Sequence, residues 1–254
     1  VLAACATRQA AAPDAPAVAE PAPVERYFPL TKRSRWTYRV QELRKNFDYV
    51  NRVRVFGPKF FESMKKEVVE VEESYSSTGN GVFLLEEQEP IVYFRENGYL
   101  NRVFLTQQGG KLVPASGSGD SRFLPEIIVP GSTWDSDSQA FRVGTDLGFK
   151  VAHRHTIALE EQSITVPAGT FEDCLRIDTF STHGPGSGRL PDEELTFYYS
   201  DWYAPGVGLV RTQQWDDAEH AKERTRIELV DYKVESATDS DQAQRAAEHG
   251  SATN

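Results

Sequence analysis

The residues with the most chemical potential in this chain are two imidazoles two positions apart, His153-Arg154-His155. On an extended strand, positions i and i+2 point the same way, so the two rings share a face. Two histidines can begin a zinc site, which needs a third ligand and supporting hydrogen bonds. No nearby Cys, His or Glu completes the set, and Arg154 disfavours a cation, so the pair reads as a solvated strand face and no metal is expected. Asp135-Ser136-Asp137-Ser138-Gln139 imitates the start of a calcium loop, but Ala140 stands at its glycine position and Asp146 at its closing glutamate position. Ser116-Gly117-Ser118-Gly119 has neither the lysine of a phosphate loop nor the Gly-x-Ser-x-Gly spacing of a nucleophile elbow. Cys174 lies in the strand-like run Phe171-Glu172-Asp173-Cys174-Leu175-Arg176-Ile177, where a lone thiol reads as a small buried hydrophobe. The expectation is no catalytic residue, no cofactor and no enzyme.

Whatever these residues do, strands must position them. Aromatic residues make up 11% of the chain, an excess that suits pleated, half-buried surfaces. Period-two alternation recurs between turn signals. Val69, Val71 and Tyr75 share one face of their run, with Val68, Glu70 and Glu72 on the other. Gly79-Asn80-Gly81 and Asn97-Gly98 are hairpin signatures. Leu195, Phe197 and Tyr199 alternate with Thr196, Tyr198 and Ser200. Ile227 and Leu229 have one parity, Tyr232 and Val234 the other, which predicts a β-bulge near Val230. The fold class is all-β and mainly antiparallel, a curved sheet, half-barrel or sandwich with under a fifth helix. Arg33-Ser34-Arg35-Trp36 echoes Gly131-Ser132-Thr133-Trp134 ahead of two strand-rich stretches, an echo that fits two related half-sheets. Glycine-rich stretches at 107–120 and 183–188 read as flexible loops, with Ser116 the expected first site of proteolysis.

Composition narrows the partners. A net charge of −10 argues against nucleic acid and against electrostatic attachment to anionic lipid. No apolar run approaches the length of a membrane-spanning helix. The chain opens Val1-Leu2-Ala3-Ala4-Cys5, which resembles the lipobox of bacterial lipoproteins. That resemblance implies cleavage before Cys5, lipid on Cys5, and residues 1–4 as the remnant of a signal peptide. Residues 6–26 are dominated by Ala and Pro and cannot bury enough surface to fold, so residues 5–26 form a disordered, lipidated tether reaching roughly 60 Å. One β-rich domain is expected over 27–235 and a polar, frayed tail over 236–254. Lipidation of Cys5 would leave Cys174 without a disulfide partner. By the usual sorting rule, Ala6 in place of Asp after the cysteine implies the outer membrane, facing the periplasm.

Three motifs carry a wider resemblance. Pro29-Leu30 with Trp36-Thr37-Tyr38 opens the domain, Thr165-Val166-Pro167-Ala168-Gly169-Thr170-Phe171 lies between strands, and Trp202-Tyr203-Ala204-Pro205-Gly206-Val207-Gly208-Leu209-Val210 follows near the end. Over residues 27–234 the chain resembles a broad group of uncharacterised bacterial envelope proteins, often lipoproteins, akin to the TapB-like family. Arg33 stands where that group usually shows Gly. The resemblance implies a β-rich fold and brings no catalytic residues. On physical grounds alone, Gly169 permits a positive φ, and Pro205-Gly206 suits a type II turn.

Three functional classes follow. The first is a lipid-anchored envelope lipoprotein acting as a non-catalytic binding or assembly module. The second is a carrier of an apolar ligand on a curved sheet, which an apolar concave face would favour. The third is an envelope enzyme, which converging His and carboxylate side chains would favour. Expected partners are the membrane, through the anchor, and an envelope protein or apolar small molecule. The expected contact residues are Tyr198, Trp202 and Tyr203, beside the Pro205-Gly206 turn. Alternation sends Tyr198 and Trp202 to one face, Tyr199 and Tyr203 to the other, so these aromatics either cap the core or form a binding surface.

Overall fold

The computed structural model describes residues 20–77, 86–87, 90–108, 111–115, 121–141, 148–184 and 195–235. Cys5 and most of the tether, Gly79-Asn80-Gly81, Ser116 with its neighbours, residues 185–188 and the tail after 235 lie outside the described residues.

Strands account for nearly all the regular structure among them. In chain order they are β1 (Ala22–Pro23), β2 (Arg35–Glu42), β3 (Phe47–Phe61), β4 (Lys66–Ser77), β5 (Glu86–Glu87), β6 (Ile91–Glu96), β7 (Tyr99–Gln108), β8 (Lys111–Pro114), β9 (Arg122–Pro125), β10 (Ile127–Ile128), β11 (Thr133–Phe141), β12 (Gly148–Ile157), β13 (Gln162–Val166), β14 (Gly169–His183), β15 (Leu195–Ala204), β16 (Gly208–Trp215) and β17 (Glu223–Lys233). A single turn of 3-10 helix, Val24–Arg26, is the described helical segment. All pairings are antiparallel. The main sheet runs β11-β12-β14-β15-β16-β17-β2-β3-β4-β6-β7-β8, with β13 on β14, β5 on β4 and β9 on β7. Strands β7 and β9 at one end and β11 at the other line the same cavity, so the sheet curls nearly around, with no hydrogen-bonded closure among the described residues.

Local chemistry explains the turns and the curl. Asn97 and Gly98 both adopt positive φ between β6 and β7, the conformation of a type I′ hairpin turn. Val207 N–H bonds Ala204 C=O across Pro205-Gly206, with Gly206 at φ 69°, a type II turn. The register slips between Leu229 and Asp231, which places the expected bulge at Val230 and returns Tyr232 to the side of Leu229. Further bulges at Phe56, beside Gly57, and at Val210 add local twist to adjoining parts of the sheet.

The main core fills the inner face and continues beneath β13. A smaller cluster of Phe61, Val68, Val92, Phe94, Val103 and Leu105 lies on the outer face, with Leu112 of β8 packed against it. Packing also begins upstream of Tyr27, where composition places the end of the tether. Ala22 and Val24 are buried, and β1 pairs with β10.

The tetrapeptide echo has a structural counterpart. Arg33 N–H bonds Val55 C=O at 2.9 Å, Val55 N–H bonds Ser34 C=O at 2.9 Å, and Ser34 N–H bonds Thr31 C=O at 3.1 Å. Gly131, Ile157, Ser132 and Val129 repeat these three bonds at 2.9, 3.0 and 3.1 Å. Arg33 and Gly131 sit at φ 72° and 79°, and Trp36 and Trp134 follow as buried residues. The β2–β3 and β11–β12 hairpins therefore open on the same lock, one with the glycine this backbone favours and one without it. Relief of the left-handed strain is expected to make Arg33→Gly stabilising by about 0.5–1 kcal/mol, after the extra chain entropy of glycine. Gly131→Ala should be destabilising, by about 1–2 kcal/mol, because its Cβ would lie 2.8 Å from Leu159 Cδ2 at a positive φ. Urea denaturation of both variants measures this, and equal signs would contradict it.

Candidate functional site

The inward curl leaves a cavity of about 480 Å³ on the concave face, within the range of small-ligand sites. Its wall takes one side chain parity from strand after strand: Trp36 and Tyr38 from β2, Val71 and Glu73 from β4, His153 and His155 from β12. One region is aromatic. Phe28 packs on Phe123, Tyr93 and Tyr203 with ring centroids 5.1, 5.3 and 6.2 Å apart. Burial pushes the Tyr93 phenol up to about 12 and raises the Tyr203 phenol well above its ordinary value, so both stay neutral.

The opposite region is a hydrogen-bonded lattice. His155 Nε2 and Nδ1 lie 2.9 Å from Ser136 Oγ and 2.8 Å from Thr179 Oγ1. His153 Nε2 and Nδ1 lie 3.1 Å from Ser138 Oγ and 2.7 Å from Ser181 Oγ. Strand registry builds these rows, since β11, β12 and β14 stand side by side. Desolvation pushes His153 down to about 4 and His155 to about 3, with Arg102 contributing to both. The imidazoles are neutral near pH 7, and each is flanked by hydroxyls that cannot stabilise an imidazolium as a carboxylate would. They are weak bases and good fixed hydrogen-bonding groups.

Three further groups complete the wall. Asp201, between Tyr199 and Tyr203 on β15, accepts a 2.6 Å bond from Thr212 Oγ1, and burial raises its carboxyl to about 6 despite Arg102 and that bond. Arg102 hydrogen-bonds Tyr93 and stacks its guanidinium 4.7 Å from the Phe123 ring centre. Glu73 accepts from the Tyr75 hydroxyl at 3.0 Å. Two residues of the wall each carry a buried atom with no hydrogen-bond partner among the described residues, the indole N–H of Trp134 and the amide oxygen of Asn51.

The expected site residues divide between the two faces. Tyr203 lines the cavity. Trp202 and Tyr198 face away from it. Trp202 is 7% exposed and its indole donates to Gln162 Oε1 of β13 at 2.8 Å, whereas Tyr198 packs beside Phe180 at 5.1 Å. His153 and His155 are not on a solvated face. The sheet curls toward them, and Trp134 stacks on His155 at 4.6 Å. Asp135 and Asp137 belong to a regular strand rather than a loop, with Asp135 paired to Arg154 across an exposed surface. Among the described residues no group of three His, Cys, Asp or Glu side chains could hold a metal ion. Cys174 is buried and its thiol is pushed up to about 11 by burial, so it is a poor nucleophile. Sequence reasoning missed Asp201, Asn51, Arg102 and Trp134. The first had a signal, an acid at an inward position between two tyrosines.

With this geometry in hand, comparison with known proteins adds the following. Residues 145–227 match a family model described as DUF3108-like, a span containing the second and third motifs noted in the sequence. No curated protein matches the chain. A solved structure from Bacteroides fragilis, of a protein inferred to be exported and having a YmcC-like fold, is 17% identical, with a TM-score of 0.53 over 82% of this chain and 98% of that one. A second, from Parabacteroides distasonis and inferred to be a lipoprotein, is 17% identical, with a TM-score of 0.46 over 81% and 97%. The first likeness is one of fold.

Two outcomes follow from the site. A carboxyl raised from 3.8 to about 6 keeps a proton in the folded state that the unfolded chain releases, so its penalty grows as pH rises through that window and is fully present above it. Asp201→Asn should therefore stabilise the protein at pH 8, by up to ~3 kcal/mol, and have little effect at pH 4. The histidines act with the opposite sign, losing stability as pH falls below 6.5, but they are common to both proteins and cancel in the difference. A pH-independent difference in denaturation would refute the assignment. Trp202→Ala, at a core position, should cost about 3–5 kcal/mol in the same measurement; a cost under ~1 kcal/mol would return Trp202 to the surface.

Proposed function

We propose that the protein is a non-catalytic binder or carrier whose curved sheet holds a small, largely apolar molecule, and that it works from a lipid anchor at Cys5 in the bacterial envelope. The observation that carries this reading is the cavity of about 480 Å³ enclosed by the concave face, with Phe28, Tyr93, Phe123 and Tyr203 gathered at one side. The neutral imidazoles, each held between hydroxyls, favour binding over catalysis. Tyr203 is a contact residue in this reading. The lipobox resemblance, the Ala/Pro-rich stretch and the TapB-like resemblance support the envelope setting, with the outer membrane as the finer expectation from Ala6.

A second reading, an assembly module that docks an envelope protein, draws on the outer face. There Trp215 stacks on His220 at 4.1 Å and Tyr198 packs against the exposed Phe180. The cavity is the stronger support, because a protein-docking face requires no enclosed space.

Mass spectrometry of protein purified natively from membranes tests the anchor and the cargo together. The expected result is diacyl- or triacyl-Cys5 at the N-terminus and a retained small molecule. Cys5→Ser should release the protein from membranes; its persistence there through a high-salt wash would refute the anchor. Val53→Trp, which projects an indole into the cavity from a half-buried position, should abolish retention of the molecule while the β-sheet circular dichroism stays unchanged. Undiminished retention would refute the cavity as the site.

A further inference from the structure

We propose that the outer face of the β17-β2-β3 junction docks on the anionic headgroups of a phospholipid bilayer, through Lys32, Arg33, Arg35, Arg52, Arg54 and Lys233. The inference is independent of the cavity and draws on the lipid-anchor reading for its choice of partner. It adds an orientation of the domain on the membrane, which a lipid on Cys5 alone would leave open.

Trp36, Tyr38, Val53 and Val55 line the cavity, so the alternate residues Arg35, Arg52 and Arg54 point outward. Strand register sets three cations side by side in one row, Lys233 opposite Arg35 and Arg35 opposite Arg54. Lys32 and Arg33 stand in the turn before β2, and the methylene stem of Lys32 lies against Gly57 of β3. All six cations are exposed. Among the described residues Lys233 pairs with Glu235, and the other five form no ion pair. Exposed cations elsewhere are mostly matched, as Arg44 is with Asp216, Lys59 with Glu70 and Arg154 with Asp135. The carboxylates nearest in register are Glu72, opposite Arg54, and Asp231, opposite Thr37, and they leave the face net positive.

Like charges directly opposite one another weaken a sheet, so the row Lys233-Arg35-Arg54 costs the free protein stability that an anionic surface would restore. The net charge of −10 does not forbid the contact. At ~0.1 M salt, charges more than about 10 Å away are largely screened, and an approaching bilayer meets the local patch. Phe56, 38% exposed at its bulge, lies under the Arg54 guanidinium at 5.0 Å and adds an aromatic ring suited to the headgroup layer. The patch also sits at the end of the sheet where the described chain begins. The turn between β15 and β16 touches both: Gly206 N–H bonds Arg26 C=O at 2.6 Å, and the indole of Trp36, next to Arg35, donates to Val207 C=O at 2.7 Å.

The full chain carrying Cys5→Ser, which has no anchor, tests this by co-sedimentation with vesicles. One set contains phosphatidylglycerol and phosphatidylcholine in equal parts, the other phosphatidylcholine alone. The protein should bind the anionic vesicles at ~0.1 M salt at least about tenfold more tightly than the neutral ones, and release them at ~1 M, where screening falls to about 3 Å. Arg35→Gln with Arg54→Gln should weaken binding about tenfold or more, since each cation near an anionic surface strengthens it roughly fivefold. Lys45→Gln with Lys222→Gln removes the same charge from exposed loops at the far end and should leave binding within about twofold. Should the double arginine variant fail to fold, Arg33→Gly decides, because it removes a patch cation at a site where glycine relieves strain; it should weaken binding about threefold or more. Absent binding, equal binding to both vesicles, or an equal loss in the Lys45 and Lys222 variant overturns the proposal. So does salt-sensitive self-association without vesicle binding, which would assign the face to a second copy. None of these outcomes bears on the anchor, which the mass of the native N-terminus decides.

Discussion

Most side chains on the cavity wall are aimed by one continuous antiparallel ladder, with Phe28, Pro29 and Leu30 added from the segment before β2. Side chains alternate faces with period two, so a slip of a single residue in any pairing would send that strand's inward set to the outside. The turns at Asn97-Gly98, Pro167-Ala168 and Pro205-Gly206 each hold a short connection in one geometry and so pin the register. Where the ladder needs an extra residue it takes one as a bulge, at Phe56, Val210 and Val230, and the bulges also supply twist. The cavity is thus a by-product of backbone hydrogen bonding: a sheet curled this far, with no second layer against its inner face among the described residues, encloses space.

Around His153 and His155 the polar groups within that space satisfy one another through neutral hydrogen bonds. The cross-strand rows through His153 and His155 use hydroxyls at both ends, which lets these half-buried imidazoles stay uncharged. Asp201 carries the contrary strain, a carboxyl held where its ionised form is poorly solvated. On the outer face the solution differs. Glu228 is buried but lies between Arg39 at 2.9 Å and Arg211 at 3.0 Å, an ion-pair row that crosses β2, β17 and β16. The same ladder therefore carries neutral hydrogen bonds inside and charge pairs outside.

Much of the fold was legible in the sequence because its signals are local. Asn-Gly demands a tight hairpin, Pro-Gly a type II turn, and the parity switch after Leu229 a bulge, whatever the rest of the chain does. Even the echo between Arg33-Ser34 and Gly131-Ser132 marks a repeated backbone lock. The site was less legible because inside and outside are decided by curvature, which no single strand encodes. His153 and His155 have the polarity of a solvated face, and only the inward bend of neighbouring strands encloses them. Trp202 has the look of a binding residue beside a loop, and only the β13 hairpin, folding back over β14, covers it. The first and third of the motifs that suggested a family meet in space, and the second docks on β17. Trp36 Nε1 donates to Val207 C=O at 2.7 Å, Tyr38 hydroxyl to Leu209 C=O at 3.1 Å, and Ala168 N–H to Leu229 C=O at 3.0 Å. They mark how the sheet is assembled more than what it holds.

The junction of β17 with β2 has a consequence for how the protein is made. Most ladder contacts join strands close in sequence, but this one pairs segments separated by about 190 residues; Arg39 and Glu228, which clasp it, are 189 apart. Closing so long a loop carries an entropic cost that must be met before the contacts form, so this pairing sets the slow step of assembly. Until Glu223–Lys233 is available, β2 and β16 both present unpaired edges of the kind that recruit foreign strands. A chain delivered from its N-terminus therefore stays unfinished until Glu223–Lys233 has arrived. A truncation within β17 would leave the facing edges of β2 and β16 unpaired.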